Sequence, residues 1–152
     1  NKLWYHFKNH KWVITELGPY NEISNNIVKL FQDYREDEQH TDETKQKIDN
    51  LILKLKNVSF KETVCRECIY LFYDPDFIKK LDRKMNLVCF KNGVWDIQNK
   101  ILRSGLKEDF ISLSIDADYN GEHNNIDYII NQFLEFRKKI VQKRMPNHEF
   151  KV

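Results

Sequence analysis

Cysteine, proline and glycine are scarce in this chain, at 3, 3 and 4 of 152 residues. An odd number of three cysteines argues against a secreted disulfide framework and for a reducing compartment. No low-complexity tract and no internal repeat is visible. No uncharged apolar run approaches the roughly 20 residues that span a membrane, and no signal peptide is visible in this stretch. Excess charge of one sign is also missing. The 25 Lys and Arg against 23 Asp and Glu leave +2, too balanced for the whole chain to coat nucleic acid.

What is present is a globular composition, 41% hydrophobic and 32% charged, long enough for one domain whose core needs no staple. The chain begins with Asn1 and stops just after a basic run, and reads as a piece of a longer protein. Dense aromatic and β-branched residues in Leu3–Phe7 and Trp12–Ile14 predict a hairpin turning at Lys8–Lys11. After the break at Gly18-Pro19, a helix is expected on Ile23, Ile27, Leu30 and Tyr34. A polar connection from Arg35 to Asp42 leads to a second helix on Ile48, Leu51, Ile52 and Leu55, capped by Thr41. Ser59-x-x-Glu62 reads as a capping box opening a third, with Val64, Cys68, Leu71 and Phe72 facing inward. Asp74-Pro75 starts a short fourth helix, Asp76 to Asp82.

The period then becomes extended. Leu87–Phe90 and Val94–Ile97 flank Lys91-Asn92-Gly93, and Asn-Gly is a strong hairpin signal that would supply positive φ angles. Extended segments are expected at Ile101–Arg103 and Phe110–Ser114. A final helix from about Asn125 carries Ile126, Ile129, Ile130 and Phe133, and its stripe continues onto Arg137 and Arg144. Uncompensated buried charge is costly, so the end of this helix is expected to leave the core. The fold class is α+β: a mostly helical domain with two small antiparallel β-hairpins or sheets.

Chemistry-bearing patterns are few. Cys65-x-x-Cys68 has the spacing of half a zinc site, but only Cys89 remains to complete it, so core packing is the better reading. His6 and His10 lack the glutamate of a helical zinc motif. Gly18, Gly93, Gly105 and Gly121 lie too far apart to form a phosphate-cradling G-x-x-x-x-G-K-[ST]. No catalytic or metal-binding residue is assigned. Two features suit nucleic acid. One is the amino-terminal mix of rings and cations, with Lys8, His10, Lys11 and Trp12, although Trp4, Phe7 and Trp12 are more readily core residues of a small sheet. The other is Arg137, Lys138, Lys139, Lys143 and Arg144, five cations in eight residues, which could instead be a solvated helix end.

The ordered set Phe90, Asn92, Gly93, Val94, Asp96, Arg103, Glu108, Asp109, Ile111, Ser112 and Tyr119, with the opening Trp4, Tyr5, Phe7, His10 and Trp12, resembles the domain preceding the superfamily-three helicase module in poxvirus-type primase-helicases of large DNA viruses. Phage and plasmid replication primases share that domain. Physically, Asp96 can accept backbone N–H bonds at the next turn, and Arg103 can pair with Asp96 or Glu108. The resemblance implies residues 1–136 as a non-catalytic accessory domain, and 137–152 as a basic helix end leading to the ATPase. It implies a parent protein that binds ATP and Mg, unwinds DNA, and assembles as a hexamer at a viral replication site in the host cytoplasm. This stretch itself would hold no cofactor. Its partners would be the helicase module of the same chain and single-stranded or forked DNA. A stand-alone nucleic-acid-binding module and an oligomerisation domain without DNA contact are the alternatives.

Overall fold

A computed structural model describes residues 3–121 and 126–144. The mixed α+β class holds, with helix predominant beside two small antiparallel sheets. The chain groups into two compact units. One comprises Thr15–Tyr73 and the residues up to Trp4; the other comprises Tyr5–Ile14 and Asp74 onward.

The first unit is helical. Helix α1 (Tyr20–Glu22), a π-helical turn (Ile23–Ile27) and α2 (Val28–Arg35) follow one another without a break. Helix α3 (Asp42–Lys56) begins at Thr41, whose hydroxyl accepts from the Thr44 N–H at 3.3 Å. Helix α4 (Val58–Leu71) begins at Asn57, whose Oδ1 accepts from the Phe60 N–H at 3.1 Å. Asn57 ends α3 and starts α4 in extended geometry, so the cap expected at Ser59 falls two residues earlier. The core is Ile23, Val28, Ile48, Ile52 and Leu55, with Ile27, Phe31, Leu51, Phe60, Val64 and Cys65 packed against it. Leu30 and Tyr34, expected inside, are exposed. The π turn is the cause: bonding i to i+5 inserts one residue, so the buried stripe steps from Ile23 to Val28. Leu71 and Phe72 are also outside, because they lie at and beyond the carboxy-terminal end of α4.

The second unit is built on a sheet. Strands β1 (Trp4–Lys8) and β2 (Lys11–Thr15) are joined by Asn9 and His10, whose φ of 50° and 67° give the left-handed pair of a tight hairpin. Helix α5 is limited to Phe77–Lys80, after an Asp74 side chain that accepts from the Asp76 N–H. Strands β3 (Leu87–Phe90), β4 (Gly93–Asp96) and β5 (Ile101–Arg103) form an antiparallel sheet in that order, with Phe90 opposite Gly93 and Val94 opposite Arg103. All four β3 residues are buried, so both faces of the strand are covered. Val88 and Phe90 pack with Ile130 of α6 (Ile126–Arg144), while Leu87, Cys89 and Val94 pack with Ile111. The stretch expected as a strand, Phe110–Ser114, makes only an isolated bridge from Ser114 to Cys89. Phe110 takes φ 52°, which no strand tolerates.

The expectation that α6 leaves the core at Arg137 is overturned. Arg137 is fully buried, and Val141 beyond it is buried too. The guanidinium donates to Leu87 O at 2.6 Å and Lys84 O at 3.1 Å. These carbonyls solvate the cation.

Candidate functional site

The motif residues surround the β3–β4–β5 sheet, and their roles are ties between segments. The hairpin turn is Lys91-Asn92, closed by Phe90 opposite Gly93, and Asn92 lacks the positive φ expected of it. Its side chain does another job: Nδ2 donates to Tyr119 O and Oδ1 accepts from Tyr119 N, both at 2.9 Å. That clamp sets the Tyr119 ring 4.3 Å from Trp95, stacked, and 5.2 Å from Phe90, edge-on. Gly93 is required by close approach, since a Cβ there would lie 2.7 Å from the Arg103 carbonyl oxygen. Val94 is wholly buried.

Asp96 closes the next turn as expected. Its Oδ1 accepts from the N–H groups of Gln98 and Asn99 at 3.0 and 3.2 Å, and its Oδ2 from Asn99 Nδ2 at 2.7 Å. These bonds, the Asn99 amide first, hold its carboxyl below the usual range. Arg103 pairs with neither expected partner. It forks onto Asp109, Nη1 to Oδ2 at 2.7 Å and Nη2 to Oδ1 at 2.8 Å. Burial pushes the Asp109 carboxyl up, but Arg103 and the Leu106 N–H outweigh it, so the net shift is downward. Glu108 is exposed and contributes its carbonyl, which accepts from Lys84 Nζ at 2.8 Å.

One tie escaped the sequence reading. Asp82, buried with φ 61°, accepts from Ser112 N at 2.7 Å, Leu113 N at 3.1 Å, the Ser112 hydroxyl, and Arg144 Nη1 at 2.9 Å. Neither periodicity nor spacing marks a lone Asp between Leu81 and Arg83. Ile111, next to Ser112 in the chain, is buried.

The cationic candidates divide. Lys8 is exposed. His10 accepts from Gly105 N through Nδ1 at 3.1 Å, Lys11 Nζ donates to the Ser114 hydroxyl, and Trp12 Nε1 donates to Lys107 O at 2.9 Å. The Trp12 ring lies edge-on to Phe7 and Phe77, at 5.5 and 5.1 Å, the packing of a core aromatic. Arg137 is inside, and burial lowers its pKa to about 10, still charged at neutral pH. Lys138 pairs with Glu135 at 2.7 Å, Lys139 and Lys143 are exposed, and Arg144 pairs with Asp82.

Cys65, Cys68 and Cys89 are free thiols. Burial pushes Cys89 up to about 11, which suits packing and not ligation. Among the described residues no group of three or more His, Cys, Asp or Glu could hold a metal ion. No described helix is long and apolar enough to cross a membrane.

In this α+β domain a small antiparallel sheet is bound to its loops by buried carboxylates and a buried arginine. The chain belongs to the family described as "D5 N terminal like", which matches residues 1–139. Three similar proteins each carry the name "Putative helicase". The one from Acanthamoeba polyphaga mimivirus is 34% identical, covering 78% of this chain and 14% of its own length. That from Invertebrate iridescent virus 3 is 30% identical, over 61% of this chain and 10% of its own. That from Frog virus 3 is 33% identical, over 47% and 8%. The chain thus spans a small fraction of each relative.

Proposed function

We propose that this chain is a non-catalytic accessory domain of a viral DNA-replication primase-helicase, one that positions or helps assemble the helicase ring and contacts DNA. Membership of the D5 N terminal like family, at 14% of the length of a mimivirus relative named as a helicase, carries the reading. The tied motif residues support it, because buried ion pairs and side-chain clamps hold segments in place. ATP, Mg, unwinding and a hexameric ring would belong to the rest of the polypeptide. Replication in the host cytoplasm follows from the same resemblance.

The test compares the full-length helicase with a version lacking this domain. DNA unwinding and ring assembly, read by a forked-substrate assay and light scattering, should both fall, while ATP hydrolysis per subunit persists. Unchanged unwinding and assembly would refute the accessory role. Loss of ATP hydrolysis along with intact assembly would place the domain in the catalytic machinery instead.

A further inference from the structure

The two basic features that look separate in the sequence meet on one loop. Lys11 of β2 donates to the Ser114 hydroxyl, and Arg144 at the end of α6 reaches the Ser112 hydroxyl at 3.4 Å through Nη2. Ser112 and Ser114 are two positions apart, so their Cα atoms are at most about 7 Å apart, within the span of neighbouring phosphates on one strand. We infer that Lys11, Arg144 and the Ser112–Ser114 segment form a single phosphate-binding surface for a nucleic-acid strand. The inference rests on the DNA-contact part of the proposed function and deepens it by naming the surface.

Several observations favour phosphate. The unit carrying both cations has 16 Lys and Arg against 12 Asp and Glu, while the other has 9 against 11. The Lys11 ammonium is held by a neutral hydroxyl, and its charge is not cancelled by that partner. Ser114 accepts from Lys11 and so keeps its own O–H to donate. Asp82 takes only Nη1 of Arg144 and divides its charge over Ser112 and Leu113 as well. The guanidinium is thus aimed by Asp82, and the Arg144 side chain remains 30% accessible. A partly exposed guanidinium beside a hydroxyl and an ammonium matches phosphate oxygens. Asp82 is here a positioning residue. The Trp12 ring is packed away and adds no stacking.

The test is fluorescence anisotropy of the 152-residue chain with labelled oligothymidylate and with duplex, over salt from about 50 to 200 mM. Lys11→Ala with Arg144→Gln should weaken single-strand binding about tenfold or more, and lower the salt slope by about 0.7 for each phosphate no longer neutralised. Lys139→Ala with Lys143→Ala should leave affinity nearly unchanged. If instead the Lys139/Lys143 pair abolishes binding and the Lys11/Arg144 pair does not, DNA contact stands on the outer face of α6 and this surface is overturned. If the wild-type chain binds neither probe at low salt, the DNA-contact reading itself fails and takes this inference with it. Displacement by polyglutamate at equal charge would assign the surface to acidic polypeptides, also overturning it. Should Arg144→Gln lose its far-ultraviolet circular dichroism, Lys11→Glu alone decides: weakened binding supports the surface, unchanged binding removes it.

Discussion

Removing Arg103 should cost more than removing its partner, and the difference should depend on pH. The Asp109 side chain is 4% exposed and that of Arg103 is 28%. Without Asp109 the guanidinium still reaches water and the Ser104 carbonyl at 2.9 Å. Without Arg103 the carboxylate stays buried, with the Leu106 N–H at 2.8 Å as its remaining partner. Breaking a buried pair by deleting one member costs about 3–5 kcal/mol, and the partial exposure of Arg103 places Arg103→Ala at the lower end and Asp109→Ala below it. We expect about 3 kcal/mol for Arg103→Ala and about 2 kcal/mol for Asp109→Ala, with a coupling of about 1–2 kcal/mol in the double variant. Chemical denaturation followed by circular dichroism reads these values, and about 3 kcal/mol corresponds to a melting shift of roughly 6–12 °C at this chain length.

The pH dependence has a definite sign. In the wild type the Asp109 carboxyl lies below its unfolded value, so its stabilisation is full above the unfolded pKa and is lost as pH falls through the folded one. In Arg103→Ala burial dominates and raises that pKa, so the variant recovers stability as pH falls from 7 toward 4. The destabilisation should therefore shrink on acidification. A cost for Arg103→Ala below about 1 kcal/mol, or one that is equal at pH 7 and pH 4.5, would refute this account of the ion pair.

Arg137→Met should lose about 2–4 kcal/mol by urea denaturation, since the carbonyls of Leu87 and Lys84 lose a charged donor in the core; an unchanged midpoint would show that the guanidinium is dispensable there. Gly93→Ala should destabilise by at least about 2 kcal/mol because backbone, and not a movable side-chain tip, blocks the new Cβ. Native-state alkylation at pH 8, counted by mass spectrometry, should modify Cys65 and Cys68 and spare Cys89 until the protein unfolds; rapid labelling of all three would mean that the sheet opens readily.

Both hairpins, the helix order and the turn at Asp96 were legible because each rests on residues close in the sequence. The failures share a different cause. Ser59 and Asn57 are both capping residues, and only the geometry shared by α3 and α4 decides between them. Leu30 and Tyr34 follow a helical period that a single π turn resets. Arg137 violates the rule against buried charge only until its partners are found 50 and 53 residues away. The site shows the same division. Residue types at Asp96, Arg103 and Asp109 could be read, but which pairs with which depends on how the loop after β5 folds back. Asp82 gave no local signal, since its four donors come from Ser112, Leu113 and Arg144.

The π turn at Ile23–Ile27 has a bearing on how this chain can vary. One residue more than an α-helical turn needs is stored there. Deleting Asn25 or Asn26, both exposed, would bring Val28 to four positions after Ile23 and turn the segment into ordinary α-helix. The same apolar side chains would then still face α3. A one-residue deletion is thus absorbed at this turn, where a gap in an alignment need not signal a lost core.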